Sequence, residues 1–203
     1  LFNPTFPFIP FRRNDPAPGT GAGTLVPREH VNALTAYIDG SNVYGSDQAR
    51  ADFLRTGSGG LLKTTVASNG EVLLPFNRPV DPFPNANPPV TSGATPPAAE
   101  ELFLAGDVRA NEQVGLTAVH TLFVREHNRL AGEIAARGDL AQIMDAGGFD
   151  PNVANDVDEF IYQTARKVVG AQIQENTYKE FLRKLLGTSA LTAYNGYERK
   201  MSA

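Results

Sequence analysis

The sequence predicts a mainly α fold with one small β-hairpin and long irregular loops. Three observations carry this expectation. Apolar residues recur at helical spacing over two long stretches, about 110–137 and about 153–174. Asn69-Gly70 lies between two apolar runs, which is the pattern of a tight hairpin turn. Eight prolines fall between Pro75 and Pro97 inclusive, where neither the helical nor the strand period persists.

Taken in order, residues 1–28 are rich in Pro, Gly and Phe without any period, so they read as loop with a short edge strand. The opening LFNPTFPFIP has no initiator methionine, and Leu1 is therefore expected to be an internal cut. A short helix is expected at His30–Leu34, followed by an ordered loop, TAYIDGSNVYG, at Thr35–Gly45. Ser46 is a candidate N-cap for a helix over Asp47–Arg55, with Ala49, Ala51 and Leu54 as its apolar positions and Gly57 past its end. The hairpin then pairs Leu61–Val66 with Glu71–Leu74 around a type I′ turn. The proline-rich excursion reads as an irregular surface segment with tethered ends.

The longest helix is expected from Ala110–Glu112 to about Arg137, with Val114, Leu116, Val119, Leu122, Phe123, Leu130 and Ile134 on a broad apolar face, buried at the centre of the fold. Gly147-Gly148 and Pro151 break the chain before a second helix, Val153–Gln174, whose periodic positions are Phe160, Ile161, Ala165, Val168, Val169 and Ile173. A third helix over Thr177–Leu186 stops at Gly187.

Composition narrows the chemistry. A chain of 203 residues buries about 70% of its unfolded surface, enough for one sizeable core. A net charge of −4 supplies no basic stripe for phosphates, so nucleic acid is not an expected partner. No run reaches the roughly 18 apolar residues of a transmembrane segment. The absence of cysteine excludes thiolate nucleophiles, zinc thiolates, iron-sulfur clusters and disulfides. Imidazole chemistry has only His30, His120 and His127 to draw on.

Three constellations stand out. Thr35, Tyr37, Asp39 and Ser41 are spaced by two, so an extended strand would turn them to one side as hard oxygen donors suited to calcium. One carboxylate is too few for a tight site, and the alternative is a turn in which Asp39 and Ser41 bind backbone donors. In GDVRANEQ, Arg109 and Glu112 stand three apart at the start of the long helix. They could stabilise developing charge and hold a cofactor, or form a surface ion pair with Asp107 as the helix cap. In HTLFVREHNRLA, His120 and His127 are two helical turns apart without a metal-ligand pattern, and a structural hydrogen-bonding role is expected.

Three blocks, VNALTAYIDGSNVYGSD (31–47), FLAGDVRANEQVGLTAVHTLFVREHNRLA (103–131) and ARKVVGAQIQENTYKEFLRKLLG (165–187), with LLPF (73–76) between the first two, occur in one order. In that order they resemble the animal-type haem peroxidases of the peroxidase-cyclooxygenase superfamily, the myeloperoxidase, peroxidasin and peroxinectin group. The chain resembles the middle section of a bacterial-type member, so residues 1–203 are expected to form a partial domain with the central part of that helical fold. The resemblance implies calcium ligands at Thr35, Tyr37 (through its carbonyl), Asp39 and Ser41. It implies a catalytic and haem-side arginine at Arg109, and a haem-binding Glu112 able to ester-link haem b. Gln113 stands where some members carry a haem-linked methionine, and Asn176 and Arg183 depart from the family's aliphatic residue and proline. The family's distal and proximal histidines match none of the three present, so this chain alone is expected to be inactive.

The implied whole protein reduces hydrogen peroxide and oxidises halide or organic donors in response to oxidative stress, in a secreted or cell-surface setting. The alternatives are a truncated calcium-binding or adhesion module without enzymatic activity, and a haem fatty-acid dioxygenase.

Overall fold

The computed structural model describes residues 16–21, 23, 25–31, 35, 37–85, 97–189 and 191. Of residues 1–28, where a short edge strand is expected, 1–15, 22 and 24 lie outside the described residues and the others form no strand; most of the helix expected at 30–34 also lies outside them. The architecture is mostly helical with one two-stranded antiparallel sheet, as expected.

Within the stretch expected to be loop, Ser41–Tyr44 closes into a single helical turn, α1. Gly40 supplies the positive φ of 74° that turns the chain into it. Helix α2 spans Gln48–Leu54, and its N-cap is Asp47 rather than Ser46, because the Asp47 carboxylate accepts the Arg50 N–H at 2.8 Å. Of its expected apolar positions only Leu54 is fully buried, and Arg50 is buried beside it. The Arg50 guanidinium donates to the carbonyls of Ala105 (2.9 Å) and Pro84 (2.6 Å), which satisfies the charge in the interior and staples α2 to the segment before the site.

The hairpin is present but short: β1 (Thr65–Val66) pairs with β2 (Val72–Leu73), Thr65 opposite Leu73. Its turn differs from the expected type I′. Gly70 donates to the Ala67 carbonyl at 2.8 Å and Gly70, not Asn69, has positive φ (85°). A turn centred on Ser68-Asn69 followed by a left-handed glycine is the three-residue hairpin loop, which needs only one residue at positive φ. The proline-rich excursion is tied at its ends, since Asn77 donates to the Leu102 carbonyl and Leu104 to that of Pro75. Phe76 stacks on Phe103 at 4.9 Å beside that junction.

The long helix, α3, runs Val114–Ala135 and starts later than expected because Gln113 is extended and caps it, its side chain accepting the Gly115 N–H at 2.7 Å. A short helix absent from the sequence reading, α4 (Leu140–Ala146), precedes α5 (Ala154–Glu175). Helices α3 and α5 form the central pair. The seam on α3 is His120, Thr121, Val124, His127, Ala131 and Ile134, and that on α5 is Asp158, Ile161, Tyr162, Ala165 and Val169, both at three- and four-residue steps. Buried aliphatics such as Ile161 and Val169 contribute roughly 1.5–3 kcal/mol each.

The broad apolar face expected on α3 is therefore corrected. Val114, Val119 and Leu122 are exposed among the described residues, and the buried stripe is half polar. Val168 of α5 is likewise largely exposed. No break separates the second and third expected helices: a π-helical turn, Asn176–Phe181, carries α5 directly into α6 (Leu182–Leu186). The cause is local, because no glycine or proline interrupts the chain between Glu175 and the stop at Gly187.

Candidate functional site

A cavity of about 240 Å³ opens between the Thr35–Ser46 segment and the turn before α3. Thr35, Tyr37, Asp39, Ser41, Asp107 and Arg109 line it, so two of the sequence constellations meet there. Ile173 of α5 closes the back, where Gln174 donates to the Ile38 carbonyl at 2.8 Å.

The oxygen donors converge by bending rather than by strand alternation, which corrects the extended reading of Thr35–Ser41. The Tyr37 N–H donates to the Thr35 hydroxyl (3.1 Å) and the Ser41 N–H to the Asp39 carboxylate (2.9 Å), while α1 begins at Ser41 itself. Burial opposes ionisation of Asp39, yet hydrogen bonds from Ser41 and Thr35 outweigh it and hold its carboxyl below the usual range. The result is an anionic carboxylate with two hydroxyls beside it, a donor set that fits a hard cation such as calcium, though with one carboxylate of its own. The Tyr37 ring is exposed and adds no ligand.

Arg109 and Glu112 do not share a helix face, because residues 106–113 form successive turns ahead of α3, with the Glu112 N–H bonded to the Arg109 carbonyl at 2.9 Å. Asp107 does not cap α3. Its carboxylate instead grips the Arg109 guanidinium through Nε (3.0 Å) and Nη2 (2.7 Å) and accepts the Arg109 N–H (2.8 Å). This fork holds the Asp107 carboxyl below its ordinary range and raises the Arg109 pKa further, so both are charged at any working pH. Nη1 of Arg109 has no hydrogen-bond partner among the described residues, and the side chain is half exposed at the cavity. Glu112 is exposed, close enough to Arg109 to act on its charge, and outside the cavity lining.

The two halves of the site are locked together by Gly106. A Cβ there would lie 2.2 Å from the Ser41 carbonyl oxygen and 2.7 Å from the Tyr44 nitrogen, so only glycine lets this backbone press against α1. Asp107 then donates its N–H to the Asn42 carbonyl at 3.2 Å. Sequence reasoning missed Asn42, Ser46, Asp107 and Ile173 as wall residues. Only Asp107, an acid two positions before an arginine, left a signal.

None of the histidines lines this cavity. His127 is fully buried with both nitrogens engaged, to the Tyr44 hydroxyl (2.9 Å) and the Gly60 carbonyl (2.8 Å), as the structural reading expected. His120 hydrogen-bonds the Leu116 carbonyl at 2.7 Å, and its Nε2 is buried without a partner among the described residues. His30 is exposed. Among the described residues the cavity thus gathers an arginine, two carboxylates and hydroxyl oxygens, and no imidazole.

Residues 2–203 match the family model described as animal haem peroxidase. The probable oxidoreductase PXDNL of Homo sapiens is 40% identical over 207 residues, covering 97% of this chain and 13% of that protein. Thyroid peroxidase of Sus scrofa is 39% identical over 206 residues, covering 94% and 20%. Among solved structures, peroxidase A from Dictyostelium discoideum superposes with a TM-score of 0.64 at 35% identity, over 84% of this chain and 28% of that one. The chain therefore spans roughly an eighth to a quarter of the length of these relatives.

Proposed function

The chain belongs to the animal haem peroxidase family, and on that premise we propose that the protein carrying it is a haem-dependent peroxidase that reduces hydrogen peroxide and oxidises a small halide or organic donor. One observation carries the proposal: an arginine pre-aimed by a bidentate carboxylate, with Nη1 unspent among the described residues, on the wall of a cavity that also gathers hard oxygen donors.

Bound haem b would supply the redox chemistry. Arg109, as the catalytic residue, donates to the peroxide oxygen on which negative charge develops, and Asp107 keeps the guanidinium from swinging away as that charge appears. Glu112 would help to hold the porphyrin and would be the residue available for an ester link. Thr35, Tyr37 through its carbonyl, Asp39 and Ser41 bind calcium, which Gly106 and the Asp107–Asn42 hydrogen bond couple to Arg109. On this reading residues 1–203 form part of one peroxidase domain, and the iron-binding and distal imidazoles come from sequence outside them. The setting is secreted or cell-surface, where the protein answers oxidative stress.

The test is the pre-steady-state reaction of the haem-loaded protein with peroxide. Arg109→Gln slows it by about 10²–10³-fold with the haem absorption spectrum preserved. An unchanged rate refutes the role of Arg109.

A further inference from the structure

Behind the cavity wall lies a buried polar cluster that the proposed chemistry leaves unused. Tyr44, His127 and Tyr162 pack edge to face, with ring centroids 5.3 Å (Tyr44–His127), 5.4 Å (His127–Tyr162) and 5.8 Å (Tyr44–Tyr162) apart. All three are at most 2% exposed. The cluster adjoins the site directly, since Tyr44 ends α1, whose first residue Ser41 lines the cavity, and its backbone abuts Gly106, three positions before Arg109.

The hydrogen bonds fix where every proton sits. The Gly60 carbonyl can only accept, so His127 Nε2 must carry a hydrogen and donate at 2.8 Å. Burial keeps the imidazole neutral, which leaves Nδ1 as a bare lone pair. The contact of 2.9 Å at Nδ1 is therefore the Tyr44 hydroxyl donating to it. Tyr44 is thus a phenol whose proton already points at a base with a vacant site. Tyr162 is the internal contrast, because its hydroxyl has no hydrogen-bond partner among the described residues.

We propose that Tyr44 and His127 form a proton-coupled redox pair, able to store one oxidising equivalent beside the peroxidase site. A strong one-electron oxidant takes one electron from the Tyr44 phenol and is itself reduced by one electron. The O–H bond breaks, and its proton moves along the hydrogen bond to form an N–H bond at His127 Nδ1. The products are a neutral Tyr44 phenoxyl radical and a His127 imidazolium. An electron from a donor returns the proton to Tyr44 and closes the cycle.

Burial and the Arg55 charge disfavour an imidazolium at rest, so the proton crosses only when the phenol is oxidised, and hydrogen bonds then hold it. The imidazolium has both N–H groups satisfied, by the phenoxyl oxygen and by the Gly60 carbonyl. Gly60 in turn donates its N–H to Asp158 at 2.7 Å. The nearby cations are matched, as Arg55 pairs with Asp158 (2.8 Å) and Glu159 (2.6 Å), and Arg166, over the Tyr44 ring at 5.1 Å, acts on Glu159 too. The two carboxylates offset part of the arginine charge that acts on His127. Burial also shields the radical from coupling to a tyrosine of another molecule.

That the oxidant in the living protein is oxidised haem rests on the peroxidase reading; the competence of the pair does not, and it is tested without haem. Tyr37, Tyr178, Tyr194 and Tyr197 are changed to Phe, leaving two of the six tyrosines. The full chain is oxidised by a photogenerated ruthenium(III) polypyridyl complex, frozen, and examined by electron paramagnetic and electron-nuclear double resonance. The expected result is a tyrosyl signal coupled to one exchangeable proton that disappears in D2O, which marks a hydrogen-bonded phenoxyl. Tyr44→Phe abolishes that signal, Tyr162→Phe retains it, and His127→Gln removes the proton coupling. A radical without the exchangeable coupling, or one that survives Tyr44→Phe, overturns the proposal. Because the coupling is read with Tyr44 in place, poor folding of a variant does not spare the proposal from the test.

Discussion

Replacing Gly106 with alanine adds one methyl group at the tightest backbone contact next to the site. The new Cβ would sit 2.2 Å from the Ser41 carbonyl oxygen, 2.5 Å from the Gly45 nitrogen and 2.7 Å from the Tyr44 nitrogen. Restoring an ordinary 3.4 Å separation from the Ser41 oxygen requires a displacement of about 1.2 Å, and all three obstacles are backbone atoms that no rotamer change relieves. Overpacking of this kind costs about 1–3 kcal/mol. For a chain of this length that lowers Tm by about 2–12 °C. On the proposed calcium reading the same displacement disturbs Ser41 beside Asp39, so calcium affinity falls along with Tm. Differential scanning calorimetry gives the first number and a calcium titration monitored by calorimetry gives the second. A Gly106→Ala chain melting within about 0.5 kcal/mol of the parent would show that α1 and the Gly106 turn are not locked together as described.

Other outcomes follow from the same contacts. Asp107→Asn leaves global stability within about 1 kcal/mol, because Arg109 is half exposed, but in the haem-loaded protein it slows the peroxide reaction by freeing the guanidinium. Urea unfolding and stopped-flow kinetics separate the two effects, and a large stability loss with intact kinetics contradicts the positioning role. His127→Phe orphans the Tyr44 hydroxyl and the Gly60 carbonyl in the core, costing about 2–6 kcal/mol in urea unfolding. On the acid side, hydrogen bonds from Arg129 and Gln172 hold Glu126 at a pKa of about 2, below its ordinary 4.5. A depressed folded-state pKa stabilises above the unfolded value, so this contribution is present above about pH 4.5 and is lost as pH falls towards 2. Glu126→Gln should flatten the stability profile in that window, and an unaltered acid limb would contradict it.

The sequence carried the long elements well and the short ones poorly. Helix α5 was legible to within a residue or two because Ile161, Ala165 and Val169 repeat at its period. Helix α4 was not, since seven residues hold too few periods to register. On α3 the apolar pattern misled: His127 occupies the buried seam through hydrogen bonds to Tyr44 and Gly60, distant in sequence, and His120 through one to the Leu116 carbonyl a turn earlier, while Val114 and Leu122 stay exposed. At the site, oxygen-rich residues and an arginine-glutamate motif were visible as types. The convergence of the oxygen-rich residues with Arg109, and the exclusion of Glu112 from the cavity, were not, because they depend on the Gly106 contact with α1, on the Asp107 fork and on Ile173 arriving from α5. The spacing-of-two argument found the cavity residues of 35–41 by the wrong geometry, since bends rather than a strand bring their oxygens together.

On the proposed function these residues supply the arginine, the carboxylate and the cation loop of a peroxidase site, while none of their histidines serves the iron. Adding haemin and hydrogen peroxide to the 203-residue chain tests it most directly. The account predicts no Soret band characteristic of histidine-ligated haem and no turnover of an organic donor above that of free haemin. A histidine-type Soret band with sustained turnover would contradict it.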